Sequence, residues 1–179
     1  LINNKMKFYD ELNDKINIHS NLAPTSHKYE RVHTVTTKAK TLWKRGIEKC
    51  INTNILHVYG PEYPINIGAL PISITELIVS FKTTINTLDL FTYMINLKVL
   101  KLQFDKWAIN PIVPEIGNLH NLESLRLENL NQKELPTSLS DCIKLKDIYI
   151  TTCNKPGYFN FSNIESMPML TSIELHGKS

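Results

Sequence analysis

The strongest constraint on the fold is an aliphatic pattern, L-x-x-L-x-L, that recurs along the chain. Aliphatic residues fill seventeen of its eighteen positions, and Thr53 is the exception. Alternation of this kind predicts strands with one buried face. The copies begin at intervals of roughly 20 to 25 residues, and a nearly constant period predicts stacked units. The sequence therefore predicts a solenoid whose function lies on a surface of stacked strands. The first positions of the copies are Thr53, Ile74, Leu97, Leu122, Leu145 and Leu170.

The segments that return the chain from one strand to the next also repeat. Prolines such as Pro114 and Pro136 stand where the chain turns without needing to donate a hydrogen bond. Each of the last four copies has an apolar residue three positions before its first leucine. We expect this second column to fill the core from the side opposite the sheet. Its members are Met94, Leu119, Cys142 and Met167.

Two of these segments, VPEIGNLHNLESLRL (113–127) and ELPTSLSDCIKLKDIYI (134–150), resemble the LPxxIGxLxxLxxLxL repeats of the leucine-rich repeat family. That family includes intracellular plant and animal proteins, and its periods run from about 20 to 29 residues. The resemblance covers residues 53–179. It implies an α/β fold, a curved solenoid of about six repeats with a parallel sheet on its concave side. It also implies a binding module without catalysis of its own.

One position departs from the family pattern. Where the family carries Asn or Cys, whose side chains bond to loop backbone, this chain has Lys82, Asp105, Leu130, Cys153 and Lys178. Asn131 and Asn154 follow one residue later and are alternatives for that role. Irregular turns after the strands are therefore predicted.

Residues 1–52 are predicted to form a helical N-terminal cap on the solenoid of residues 53–179. Apolar residues recur at helical spacing in two stretches, near residue 12 and between residues 26 and 51. A helix directly before the first unit would cover the exposed edge of the core. The apolar positions are Tyr9, Leu12 and Ile16 in the first stretch, and Ala39, Leu42, Trp43, Ile47, Cys50 and Ile51 in the second.

The second predicted helix also has a basic face. Such a face is compatible with a nucleic-acid or anionic-lipid contact, but the solvated outer side of a capping helix is the preferred interpretation, because no Gly-rich loop or aromatic stacking set accompanies the charges. The formal net charge of +3 is too small to indicate a polyanionic partner by itself. The residues of this face are Lys38, Lys40, Lys44, Arg45 and Lys49.

The residues between the leucines point away from the core, because side chains alternate along a strand. They form three predicted columns, and the middle one combines cations with an aromatic ring, as binding hot spots do. Phe81 and Phe104 are predicted to form an apolar ledge beside them. The predicted partner-binding residues are His57, Tyr59, Ile78, Lys101, Gln103, Arg126, Glu128, Tyr149, Thr151 and Glu174.

The chain carries few signs of catalytic chemistry. It has no phosphate-binding loop, no HExxH and no GxSxG motif, and its six histidines lack metal-ligand spacing. Cys142 and Cys153 are predicted to be packed thiols rather than nucleophiles. We therefore expect no enzyme activity, cofactor, metal or small-molecule substrate.

Composition bounds the setting of the protein. Three cysteines without a CxxC pair favour a reducing compartment such as the cytoplasm, and no run of about 18 apolar residues predicts a membrane span. The chain begins at Leu1 rather than Met, which leaves open an upstream domain or signal peptide.

Three hypotheses for function follow. The first is a non-enzymatic module that binds a protein partner on the concave face. The second is the recognition arm of a larger regulated protein, such as a nucleotide-switch receptor or a ubiquitin ligase. The third is a ribosome-associated or nucleic-acid-associated protein that uses the basic helix at 38–49.

Overall fold

The computed structural model describes residues 9–10, 15–18, 34–38, 52–59, 70–80, 87–104, 112–153, 159–160, 162–165 and 167–177. Its described strands form one sheet whose spatial order follows the chain order. All neighbouring strands run parallel except the first pair, which is antiparallel. The strands are β1 (Tyr9–Asp10), β2 (Lys15–Ile18), β3 (Thr34–Lys38), β4 (Ile55–Tyr59), β5 (Glu76–Ser80), β6 (Val99–Gln103), β7 (Ser124–Leu130), β8 (Asp147–Thr152) and β9 (Ser172–Gly177).

Parallel neighbours need a long connection, because each strand must begin again at the same edge of the sheet. Short helices lie in three of these connections: α1 (Thr87–Tyr93), and the 3₁₀ helices η1 (Pro114–Asn118) and η2 (Thr137–Asp141). Pro114 opens η1 at a position where a helix leaves its backbone N–H unpaired. The α/β class predicted from the sequence is confirmed by this parallel sheet with helical connections.

The core lies on one side of the sheet and is filled by the repeated aliphatic pattern. The inward residues of β4 to β8, from Leu56 to Ile150, are at most 2 % exposed. The apolar column predicted in the connecting segments closes the core on the side opposite the sheet, since Met94, Leu119 and Cys142 are also buried. Both predicted sets of core residues are confirmed across these strands.

The two returns that contain η1 and η2 pack tightly against each other at Gly117. A Cβ atom added to this buried glycine would lie 2.7 Å from the backbone oxygen of Ser138. Real Cβ atoms do not approach a backbone oxygen that closely, so the contact requires glycine. Ser138 Oγ also donates a hydrogen bond to the backbone oxygen of Pro114, which joins the same two returns.

The helical prediction for the lead-in is wrong where the structure describes it. Tyr9 and Ile16 lie in strands β1 and β2, and residues 34–38 form β3, which pairs in parallel with β4. The run Thr34–Thr37 is β-branched throughout, and such residues favour a strand. Pairing with a strand distant in sequence decides the conformation here, and local periodicity does not report that pairing. Residues 39–51 lie outside the described residues.

The basic face is affected by the same correction. Lys38 is the last residue of β3 rather than part of a helix, and its backbone is in register with Tyr59. Lys40, Lys44, Arg45 and Lys49 lie outside the described residues. Strand β3 continues the sheet across the predicted boundary at residue 52.

Candidate functional site

The face of the sheet opposite the core, here called the open face, carries two of the three predicted columns in register from β4 to β9. Along the central column, each residue of β4 to β9 pairs with its predicted neighbour on the next strand. The third column is also aligned without interruption, and its members are Ile55, Glu76, Val99, Ser124, Asp147 and Ser172. The central column is His57, Ile78, Lys101, Arg126, Tyr149 and Glu174.

The second column is interrupted between β7 and β8. Ser80, Gln103 and Glu128 are in register, and so are Thr151 and His176, but the pairing shifts between Leu127 and Leu130. The side chain of Tyr59, the first predicted member, lies outside the described residues. The column therefore consists of two aligned segments on either side of an irregularity.

Asn129 produces this irregularity. It has a φ of 59°, a left-handed conformation that asparagine tolerates better than most residues. Its Nδ2 donates to the backbone oxygen of Phe104 at 3.0 Å, and its backbone N–H donates to Thr151 Oγ1 at 2.8 Å. Cys153 Sγ donates to the Asn129 backbone oxygen at 3.2 Å. Asn129 thus bonds to loop backbone, and the adjacent Leu130 is fully buried.

Asn129 adds a loop contact that was not predicted. It lies two positions before Asn131, which is exposed and follows the strand. Asn154 lies outside the described residues. A bulge near the end of a strand has no fixed signature in an aliphatic pattern, so the position of Asn129 could not be read from the leucines.

A charge cluster occupies the middle of the open face. Glu128 Oε1 accepts a hydrogen bond from Lys101 Nζ at 2.9 Å and another from Arg126 Nε at 2.6 Å. The Glu128 side chain is only 14 % exposed, so its carboxylate is largely covered, and both of its ion-pair partners are cations. One anion therefore fixes both of the basic side chains of the central column.

The pKa of Glu128 responds to two opposing influences. Partial burial raises its pKa, while the hydrogen bonds from Lys101 and Arg126 and their positive charges lower it. The cations outweigh burial, and the pKa of Glu128 falls below its ordinary value. The carboxylate is consequently charged at neutral pH and keeps its two partners in place.

Arg126 extends this cluster toward the next strand. Its guanidinium carbon lies 4.0 Å from the centre of the Tyr149 ring, in a cation–π contact. The Tyr149 ring in turn lies 5.3 Å from the His176 ring, and His176 Nε2 is 3.5 Å from Glu174 Oε2. Polar and aromatic contacts thus run without a break from β6 to β9.

The part of the open face on β4 to β6 is less polar. Ile55, Ile78 and Val99 are half-buried. His57 Nε2 lies 3.7 Å from Glu76 Oε1, and within the described part of the chain it has no hydrogen-bond partner. The described face therefore changes from an aliphatic part to a charged and aromatic part.

The net charge of the open face differs from the basic character that Lys101 and Arg126 suggest. Its three described columns contain these two cations and four carboxylates, on Glu76, Glu128, Asp147 and Glu174, with the histidines counted as neutral. Glu128 is paired with the cations, so the carboxylates of β8 and β9 dominate the remaining charge. The face is mixed in sign and slightly acidic.

The predicted apolar ledge is not present at Phe104. This side chain is 2 % exposed and belongs to the core, because Phe104 lies two residues after Leu102 and alternation places both on the inward side of the strand. Its partner in that prediction, Phe81, lies outside the described residues. The apolar surface of the open face comes instead from the half-buried aliphatic residues of β4 to β6.

The cysteines are packed as predicted. Cys142 is fully buried and its Sγ donates to the backbone oxygen of Ile116 at 3.2 Å. Burial, with a smaller contribution from Asp141, raises the pKa of Cys142 to about 12. Such a thiol stays protonated at neutral pH. Cys153 is half-buried against Asn129.

The described residues offer neither a metal site nor a membrane-spanning helix. Among the described residues, no group of three or more His, Cys, Asp or Glu side chains is placed to hold a metal ion. Within that same part of the chain, no helix combines the length and the apolar character needed to cross a membrane. Comparison of the chain with protein-family models and with curated proteins finds no match.

Proposed function

We propose that the chain is a leucine-rich repeat solenoid that acts as a non-enzymatic protein-binding module, with the open face as its concave binding surface. The nearly constant period of the aliphatic pattern supports this assignment. So does a parallel sheet in which each strand neighbours the next one in the chain. In this arrangement the leucines build the scaffold, and the residues between them select the partner.

The observation that carries the proposal is the fixed position of Arg126. Its guanidinium is bonded through Nε to Glu128 and stacked on Tyr149, while its side chain remains 44 % exposed. A flexible arginine loses conformational entropy when a partner binds it, and an arginine already held in place loses less. Arginine and tyrosine are also the residues most enriched in binding hot spots. Arg126 and Tyr149 therefore form the proposed centre of the interface.

The mixed charge of the face indicates what the partner presents. A carboxylate or backbone carbonyl of the partner fits opposite the guanidinium of Arg126. Basic or hydrogen-bond-donating groups fit opposite Asp147 and Glu174, which are exposed on β8 and β9. Electrostatic complementarity of this kind selects partners and sets their register more than it raises affinity. The proposed partner segment therefore carries both signs of charge.

The test replaces Lys101, Arg126 and Tyr149 together by alanine. We expect the triple variant to lose the proteins that the wild-type chain captures from its native source, because truncating central hot-spot residues costs about 2 kcal/mol or more each. For a purified partner, this corresponds to a dissociation constant at least about 30-fold larger. Isothermal titration calorimetry measures the change.

The matched control removes exposed side chains from the returns instead of the open face. Asn118 and Lys133 are both exposed and lie away from the three columns, so Asn118→Ala with Lys133→Ala should leave capture unchanged. Circular dichroism should show a cooperative thermal transition for both variants, at a lower temperature for the triple variant because Glu128 loses both of its cations. Unchanged capture by a folded Lys101/Arg126/Tyr149 variant would refute the open face as the binding surface.

A further inference from the structure

A second surface lies at the edge where the strands begin. Two residues before the first position of the second to fifth copies of the aliphatic pattern, the chain has Ile72, Ile95, His120 and Ile143, here called the isoleucine row. The isoleucines are 76 %, 53 % and 56 % exposed in chain order, and His120 is exposed as well. These side chains do not contribute to the core and are separate from the open face.

The row is held in line by hydrogen bonds between successive units. Asn96 Nδ2 donates to the backbone oxygen of Ile72 at 3.0 Å, and Asn121 Nδ2 donates to that of Ile95 at 3.3 Å. His120 Nδ1 lies 3.1 Å from the backbone oxygen of Asp141. The first three members are thereby tied to the unit that follows each of them, which keeps their side chains in line along the edge of the sheet.

A cationic flank borders the row on the side of the strands. Lys98, Lys144 and Lys146 surround Glu123, and together their charges contribute to lowering the pKa of that carboxyl. Lys146 Nζ bonds to Glu123 Oε2 at 2.8 Å, while Lys144 Nζ bonds to the neutral amide of Asn121. Asp147 also acts on Lys146, so these three lysines are offset by two carboxylates and one positive charge remains in excess beside the apolar row.

The spacing of the row distinguishes between possible partner conformations. Neighbouring strands lie about 4.8 Å apart, so the four members span roughly 15 Å. An α-helix advances about 5.4 Å per turn and presents one apolar residue per turn along its length, which matches the row over three turns. An extended strand presents side chains on one face about every 6.7 Å, so its side chains no longer align with the members of the isoleucine row after two of them.

We propose that the isoleucine row docks an amphipathic helix of a protein partner, with acidic residues along one flank of its apolar stripe. The apolar stripe lies on Ile72, Ile95 and Ile143, and the acidic flank faces Lys98, Lys144 and Lys146. This contact uses the edge of the sheet and leaves the open face available for the partner proposed above. One chain then binds two different segments at once.

The test is a displayed library of 18-residue helical peptides, selected on the whole chain. The peptides keep a leucine stripe at positions i, i+3, i+7 and i+10, and their flanking positions vary among Glu, Lys, Gln and Ser. We expect selection to enrich Glu on one flank. Binding of the selected peptides should weaken at least 10-fold with Ile95→Ser plus Ile143→Ser, which alters side chains that are already exposed.

A charge reversal provides the second, independent readout. Lys98→Glu with Lys144→Glu should invert the selection, so that lysine replaces glutamate on the enriched flank. Two controls should bind the original peptides unchanged: Ile173→Ser, which alters an exposed isoleucine outside the row, and the Lys101/Arg126/Tyr149 alanine variant of the open face. Loss of binding in the open-face variant would show that the selected peptides bind the open face, and would overturn the proposal.

Other outcomes overturn it as well. Selected peptides that lack an acidic flank, or that bind the Ile95/Ile143 variant as tightly as the wild type, contradict the proposal. So does a library that yields no binder. Sedimentation with vesicles of phosphatidylcholine and phosphatidylserine, mixed two to one, tests a lipid surface instead. Vesicle binding that requires the isoleucine row, without any selected peptide, would assign the row to a membrane.

Discussion

Strands β7 and β9 follow the same aliphatic pattern but have different surroundings. Leu125 and Leu127 of β7 are fully buried, whereas Ile173 of β9 is 43 % exposed and Leu175 is half-buried. β7 has paired strands on both sides, and in the described part of the chain β9 pairs only with β8. The pattern therefore predicts which way a side chain points, and the neighbouring units decide how far it is buried.

The space beside β9 borders no further strand within the described residues. A groove of about 320 Å³ is lined by Ile164, Met167, Leu170 and Ile173, all of which belong to the last unit. In the middle of the sheet the equivalent space is filled by the next unit, as the packing of η1 against η2 illustrates. Each unit thus depends on nearest-neighbour contacts for its closure, as is general for stacked repeats.

The strongest test of this comparison truncates one inward side chain on β7 and one on β9. Leu125→Ala removes a fully buried side chain from a position closed on both sides, so we expect it to lower the free energy of unfolding by about 3 to 4 kcal/mol. Ile173→Ala removes a side chain that solvent already reaches and should cost about 1 kcal/mol. Guanidinium unfolding followed by circular dichroism gives both values. Equal losses would contradict the dependence of burial on neighbouring units.

The contact between returns is the next test. Gly117→Ala places a Cβ within 2.7 Å of the Ser138 backbone oxygen, and we expect a loss of about 1 to 3 kcal/mol because one return must shift. Ser140 occupies the equivalent position one unit closer to β9 and is half-buried. Ser140→Ala should cost less than about 1 kcal/mol. A neutral Gly117→Ala variant would show that the two returns move apart without loss.

The inward columns and the alignment of the central column could be predicted because one rule governs both. Alternation fixes the face of each residue, and the constant period fixes its neighbour on the next strand. The interactions between side chains of the open face do not follow from this rule. Nothing in the spacing of Lys101, Arg126 and Glu128 shows that both cations share one carboxylate oxygen, because that depends on side-chain conformation across two strands.

The ledge predicted at Phe104 is an error that the alternation rule already excludes, because Phe104 lies two residues after the inward-facing Leu102 and its side chain is buried. What alternation does not show is that the Phe104 carbonyl accepts a hydrogen bond from Asn129. The isoleucine row was visible in the spacing, since its members lie at one fixed offset from the pattern. Its exposure depended on the structure, because an aliphatic residue beside a core is ordinarily assigned to that core.

The smallest expected change in the free energy of unfolding comes from neutralising one carboxylate in the middle of the sheet and one at its end. Glu128 is 14 % exposed and bonded to two cations, whereas the Glu174 side chain is 59 % exposed and 3.5 Å from His176. Glu128→Gln should lower the free energy of unfolding at pH 7 by about 1 kcal/mol, as expected for a partly buried pair, and Glu174→Gln by a few tenths at most.

The pH dependence separates loss of charge from loss of packing at Glu128. Because its pKa is lower in the folded chain than its ordinary value of 4.5, its charge stabilises the fold fully above that value. The contribution is lost as pH falls below 4.5 and through the folded pKa, since protonation then removes the charge in both states. The difference between wild type and Glu128→Gln should therefore shrink between pH 7 and pH 3 in parallel unfolding titrations. A difference that stays constant over this range would assign the effect of the substitution to side-chain packing rather than to the shared carboxylate.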